Sequence, residues 1–169
     1  MRVHVLHREQ RLDGTPAQVF AFFAQARNLE AITPALLRFR VVAQEPADVR
    51  RGASIRYRLR VHGVPLTWET VIADWSPPHR FVDVQVRGPY ALWHHTHAFA
   101  PAGDGATLMT DTVRYAIGFG PLGELARRAV VRRDLDAIFD FRAAAVPALL
   151  RRDRGEPVED EVHARQVPG

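Results

Sequence analysis

From Phe39 to Tyr115 the chain is a succession of alternating segments separated by turns too short for a crossover. Parallel neighbours need a connection of about a dozen residues or more, so turns this short leave an antiparallel meander as the arrangement. Phe39–Ala43 is the first alternating run, and Ser54–Val61 is an almost unbroken second. His62-Gly63 then predicts a two-residue hairpin turn, because glycine supplies the positive φ such a turn requires. Closing that turn sets Leu59 against Leu66, Tyr57 against Trp68 and Arg56 against Glu69, the last as a cross-strand charge pair. Ser76-Pro77-Pro78-His79 and Gly88-Pro89 break the following strands.

The most informative hairpin is the last. Its first strand, Ala91–Phe99, carries Trp93, His95, His97 and Phe99 on one side. Its second, Thr107–Tyr115, carries Met109, Asp111, Val113 and Tyr115. The turn over Pro101, Gly103, Asp104 and Gly105 predicts Phe99 opposite Met109, His97 opposite Asp111 and Trp93 opposite Tyr115. With a side-chain period of two, these residues share one face. Bulky aromatics with two histidines and an aspartate make an unusual core and a reasonable pocket wall.

Before the meander, residues 3–12 read as a strand. Thr15-Pro16-Ala17-Gln18 reads as a helix start, with Thr15 as N-cap, Pro16 in the first turn and Gln18 completing a capping box. Val19, Phe22, Phe23 and Ala26 follow at helical spacing. Residues Asn28 to Ala35 predict a second short helix interrupted near Pro34. After the meander the pattern is helical to about Leu150. Leu122, Leu125, Ala126 and Ala129 form one apolar stripe, and Val131, Leu135, Ile138, Phe139, Val146 and Leu149 another on roughly the opposite side. A bend near Arg132–Asp134 is therefore expected. Residues 1–150 read as one domain and 151–169 as a charged, disordered tail. No internal repeat is visible.

Composition narrows the function classes. At 169 residues, 47% apolar and 25% charged, the chain suits one globular domain with a sizeable core. No apolar run reaches the length of a membrane span, and the N-terminus becomes charged at once, so a cytoplasmic location is the expectation. Cysteine is absent, which removes disulfides, thiolate metal sites and cysteine nucleophiles. All 23 basic residues are arginine, which removes Schiff-base chemistry and a P-loop lysine. The net charge of +4 is scattered rather than striped, so nucleic acid is not the expected partner. Gly118-Phe119-Gly120 lacks the lysine and serine of a phosphate loop. No serine–histidine nucleophile arrangement is legible.

The element order also resembles a known superfamily. The resemblance is carried by Pro16–Phe23 with Arg27-Asn28-Leu29 and Ile32-Thr33-Pro34, by Pro77–Phe81, Gly88-Pro89-Tyr90 with Trp93, Leu108–Tyr115 and Phe119–Arg142. Over about residues 3–150 the chain is similar to the START-like, polyketide cyclase/birch-allergen superfamily, SRPBCC. That resemblance implies an α+β helix-grip fold, a curved antiparallel sheet of about seven strands wrapped around a long C-terminal helix with a hydrophobic cavity between. It implies binding of lipids, sterols, quinones, hormones or polyketides, with a minority of enzymes such as aromatases and cyclases. Catalytic residues differ between subfamilies, so none is carried over.

The expected partner is thus a small hydrophobic molecule, with no cofactor and no resident metal. Its pocket is expected to use Tyr57, Trp68, Ile72, Val84, Trp93, His95, His97, Phe99, Met109, Asp111, Val113, Tyr115, Phe139 and Arg142. His97 and Asp111 are the candidate acid/base pair of an alternative reading, a cyclase or aromatase acting on a polyketide-like substrate. His95, His97 and Asp111 have a strand geometry that permits metal ligation, but such spacing is common by chance. Arg142 interrupts the apolar stripe, where it can anchor a ligand carboxylate, pair with Asp111 or extend its head to solvent. Arg127, Arg128, Arg132 and Arg133 offer a third class, an interaction module with a basic helix. Binding without chemistry is the favoured reading.

Overall fold

Register decides which side chains meet, and the pairings expected from the turns are those of the structure. The structure, a computed structural model, describes residues 2–118, 120, 123 and 130–156. Seven strands run in the order β1-β7-β6-β5-β4-β3-β2, each antiparallel to its neighbour. They are β1 (His4–Asp13), β2 (Arg40–Glu45), β3 (Ser54–Val61), β4 (Val64–Ser76), β5 (Arg80–Arg87), β6 (Leu92–Pro101) and β7 (Ala106–Ala116). Between β3 and β4, Tyr57 pairs with Trp68 and Leu59 with Leu66. Between β6 and β7, Trp93 pairs with Tyr115, His97 with Asp111 and Phe99 with Met109. His62 and Gly63 both have positive φ, 50° and 82°, as a type I′ turn requires.

Helix α1 (Pro16–Phe23) begins where its capping signals place it. The Thr15 side chain accepts from the Gln18 amide, and Gln18 Oε1 accepts from the Thr15 amide at 2.8 Å. A four-residue helix α2 (Asn28–Ala31) follows, then a 3₁₀ turn at Ala35–Leu37 beyond Pro34. The last helix, α3 (Arg132–Asp153), buries Leu135, Phe139, Val146 and Leu150. Residues four and eleven positions apart return to one face, so this stripe meets the concave side of the sheet. Leu135 and Phe139 pack with Trp93, Val113 and Tyr115. Val146 and Leu150 pack with the α1 phenylalanines, Phe81, Phe99 and Met109. The result is the expected α+β helix-grip fold.

Two expectations about the C-terminal third need restating. The first apolar stripe, Leu122 to Ala129, lies outside the described residues, and with it Arg127 and Arg128. Arg132–Asp134, where the bend is expected, form the first turn of α3, but the segment it would bend from is outside the described set. The tail was expected from residue 151, but α3 continues to Asp153 and ends in a cap. Arg154 donates to the Asp13 carbonyl and to Glu156, and Arg151 lies 3.9 Å from Asp13. These cations at the helix C-terminus meet the end of β1, which extends the helix beyond its last apolar residue. Residues 157–169 lie outside the described set.

Phe20 is the hinge of the core around α1. Its ring makes edge contacts with Trp75, Phe81 and Phe99 at 4.9, 5.7 and 5.5 Å. Replacing Phe20 with alanine is expected to destabilise the fold by about 3–5 kcal/mol, the range for a large buried aromatic. Urea unfolding checks this; a change under about 1 kcal/mol would show that α1 does not close the core.

Candidate functional site

The concave face of the sheet, α3 and the segment before β2 enclose a cavity of about 350 Å³. Part of its wall is aromatic. Trp68 and Trp93 meet edge to face at 5.0 Å and 87°, and Tyr90 lies 5.3 Å from Trp68 and 4.9 Å from Trp93. Phe39, Leu59, Leu66, Leu135, Ile138 and Phe139 complete most of the apolar wall. The Trp68 Nε1 donor is buried without a hydrogen-bond partner among the described residues. A buried orphan donor is costly, and a ligand acceptor would satisfy it.

The floor is polar. Asp83, His95 and His97 line the cavity, and Asp111 stands behind them. The four groups form a closed square. Asp111 Oδ1 lies 2.9 Å from His95 Nε2 and 2.8 Å from His97 Nδ1. Asp83 Oδ2 lies 3.2 Å from His97 Nε2 and 3.5 Å from His95 Nδ1. The imidazole rings are 3.8 Å apart, and Phe81 stacks on His97 at 4.2 Å. His97 does face Asp111, as expected. The aligned hydrogen bond to that carboxylate, however, comes from His95, while the His97 Nδ1 approach is off the hydrogen-bond line. His97 instead has its aligned bond with Asp83.

Burial works against every charge here, and the neighbours decide the outcome. At His97, burial lowers the pKa, but Asp111 and then Asp83 outweigh it and hold the imidazole above its ordinary value. At His95, burial and the adjacent His97 charge prevail over both carboxylates and lower the pKa. Asp111, despite burial, is held far below the carboxylate range by His97 and His95. Asp83 is lowered too, burial being offset by the His97 bond, the two imidazoles and Arg142. The two imidazoles are therefore pushed in opposite directions, His97 toward its charged form and His95 away from it.

Of the expected pocket residues, Tyr57, Trp68, Ile72, Trp93, His95, His97, Phe139 and Arg142 line this cavity. Met109 and Asp111 do not. They border a smaller space of about 50 Å³ behind the histidines, shared with Phe23, Phe139 and Arg142. The two imidazoles fill the gap between Asp111 and the main cavity, so the expected single wall is divided. Phe99 belongs to the phenylalanine core under α1. Val113 and Tyr115 are buried beneath α3 with Leu135 and Phe139. Val84 is on the other face, paired with His94. Arg142 holds its guanidinium carbon 5.0 Å over the Phe139 ring and leaves Nε buried without a partner among the described residues. It makes no ion pair with Asp111.

Fold and site together correspond to known proteins. The family described as polyketide cyclase/dehydrase and lipid transport matches residues 4–151. The chain belongs to that family. Among solved structures, the Zhui aromatase/cyclase of Streptomyces sp. R1128 is 14% identical with a TM-score of 0.65, over 85% of this chain and 93% of that one. A START superfamily protein of Mycobacterium smegmatis is 10% identical with a TM-score of 0.65, over 88% and 98%. Norcoclaurine synthase of Thalictrum flavum is 12% identical with a TM-score of 0.63, over 86% and 94%. No curated protein matches the sequence. Likenesses at this identity establish the shared fold. Among the described residues no helix is long and apolar enough to cross a membrane.

The floor of the cavity holds one polar residue that the sequence reading missed, Asp83. It pairs with His95 across β5 and β6. Val82, Val84 and Val86 form the more apolar alternation in β5, which points the strand the wrong way. The β4–β5 pairing contains register shifts between Glu69 and Thr70 and between Ile72 and Asp74. Such bulges move residues between faces, so β4 alternation does not carry over to β5. Counting outward from Gly88-Pro89 as a two-residue turn sets Asp83 against His94, one residue out of the observed pairing with His95, so the turn did not supply the facing either.

Tyr57 and Tyr90 give the site an alkaline signature. Burial pushes the Tyr57 phenol well above its ordinary value, and Asp83 adds to this against the Thr70 hydrogen bond and Arg142. Burial, Tyr115 and Asp134 raise Tyr90 likewise. A raised folded pKa means the native state keeps its proton longer than the unfolded chain. That stabilisation is full below the unfolded value of about 10 and is lost as pH climbs through the folded values. Phenolate absorbance of the native protein is expected to lag that of the urea-unfolded chain, with stability falling above about pH 10. Coincident titration curves would contradict the burial of both phenols.

Proposed function

We propose that the protein binds a small, mainly hydrophobic molecule in the cavity between the sheet and α3. The observation that carries this reading is the cavity itself, about 350 Å³ with apolar and aromatic walls and a few polar groups converging at one end. Ligand sites have this character and begin near this size. Core packing alone would close such a space, since interiors are filled to crystal-like density. The family description, which includes lipid transport, supports the reading. Norcoclaurine synthase, a fold neighbour, has been solved with dopamine and hydroxybenzaldehyde, molecules of a size this cavity accommodates.

A second reading rests on the histidine–aspartate square. An imidazole held between two carboxylates at the floor of an apolar cavity is the equipment of acid/base chemistry. A cyclase or aromatase acting on a polyketide-like substrate would use His97 with Asp111, and the aromatase/cyclase among the fold neighbours supports this alternative. Turnover of a poly-β-ketone panel by the wild type, lost in His97→Asn with dye binding retained, would favour it over a carrier.

Trp93 is the wall residue on which binding depends most directly, since it joins the aromatic cluster to the floor. Trp93→Ala is expected to weaken binding of a neutral naphthylamine dye by about 1–3 kcal/mol, the scale of one large buried contact. Fluorescence titration measures it. Unchanged affinity would remove the cavity as the binding place.

A further inference from the structure

We infer that Asp83, His95 and His97 form a binding site for a divalent transition-metal ion, open toward the ligand cavity. The argument starts from which atom faces which. Each imidazole directs one nitrogen at Asp111 Oδ1 and the other at Asp83 Oδ2. One nitrogen of each imidazole and a carboxylate oxygen of Asp83 all lie within 4.8 Å of one another, and the nitrogens nearest Asp83 are His95 Nδ1 and His97 Nε2. Ligands about 2.0–2.1 Å from a tetrahedral ion are separated by about 3.4 Å. The observed separations from Asp83 Oδ2 are 3.2 and 3.5 Å. Two of the three donor separations are thus those of a tetrahedral site, and the third lies within 4.8 Å.

Asp111 supplies the second argument. Metal-bound histidines donate their remaining N–H to a carboxylate or carbonyl, which fixes the tautomer and turns the other nitrogen to the ion. Asp111 stands behind both rings: it shares the aligned hydrogen bond with His95 Nε2, and His97 Nδ1 lies 2.8 Å away, off the hydrogen-bond line. It does not line the cavity, whereas the three donors do. One carboxylate orients, the other ligates, and a remaining coordination position faces the ligand space. This is the open arrangement of a reactive metal site rather than the closed one of a structural site.

Charge gives the third. Four titratable groups buried together are expensive, and an apolar set of the same volume would usually be as stable or more so. Two carboxylates and two neutral imidazoles balance a divalent ion. Arg142, which acts electrostatically on Asp83, then leaves an excess of one positive charge. A hydroxide or an anionic ligand group at the open position would neutralise it. A mixed nitrogen and oxygen donor set suits zinc, iron, cobalt or nickel and disfavours calcium and magnesium.

The test uses untagged full-length protein stripped with a chelator and titrated with cobalt(II), then with zinc(II). One equivalent per chain is expected, with cobalt d–d bands of a nitrogen/oxygen site. X-ray absorption of the zinc-loaded protein should show two imidazoles in the coordination shell. Asp83→Asn and His95→Gln should abolish stoichiometric uptake, and Asp111→Asn should weaken it about 10–100-fold. His94→Gln, on the opposite face of β6, should leave it unchanged. Uptake below stoichiometry in the wild type, a shell with fewer than two imidazoles, or equal uptake by Asp83→Asn would overturn the inference. Should a variant fail to fold, the wild-type stoichiometry and absorption spectrum still decide. Neither needs an organic ligand, and dye binding to the metal-free protein tests the cavity separately.

Discussion

The pairing of β6 with β7 is the constraint on which the site depends. It brings His95 and His97 over Asp111. A slip of one residue would turn both histidines to the opposite face and leave Asp111 buried without partners, a state costing several kcal/mol. The register is therefore held from two sides, by the turn after Pro101 and by the electrostatics of the floor. Asp83, delivered from β5, closes the square and ties a third strand into the same arrangement.

Around that fixed point, apolar packing decides where space is left. The phenylalanines of α1 fill one end of the concave face with Phe81, Phe99 and Met109. Leu135 and Phe139 of α3 fill the edge over Val113 and Tyr115. Between the two filled regions the sheet and helix stand apart, and the cavity occupies that gap. The imidazoles form its inner limit. One and the same square thus separates the ligand space from the small space beside Asp111 and supplies the polar chemistry facing the ligand.

The buried charges are a cost that the rest of the core must carry. Aromatic contacts around Phe20 and beneath α3 provide dispersion and apolar burial on both sides of the floor. Neither Trp68 Nε1 nor Arg142 Nε finds a partner among the described residues. Both belong to the cavity lining, so the unsatisfied donors concentrate where a bound molecule would meet them.

The helix-grip class was an implication of the family resemblance; the sequence by itself determined the element order and the registers of the β3–β4 and β6–β7 hairpins. These follow from local physics: turn residues with positive φ, a capping box, and a period of two in the strands. It also named eight residues of the cavity wall, six because alternation assigns a face once the register is known, and Phe139 and Arg142 because they fall in the helical apolar stripe. Only the tertiary structure decided which shared-face residues meet the same space. Met109, Phe99, Val113 and Tyr115 lie on the predicted face yet are covered by α1 or α3, and a strand pattern contains no information about what packs above it. Val84 and Asp83 exchanged places because apolar alternation in β5 favours the outer face and bulges break the phase from β4. The histidine–aspartate square needed three strands in register, and its fourth member came from the strand whose facing could not be read locally.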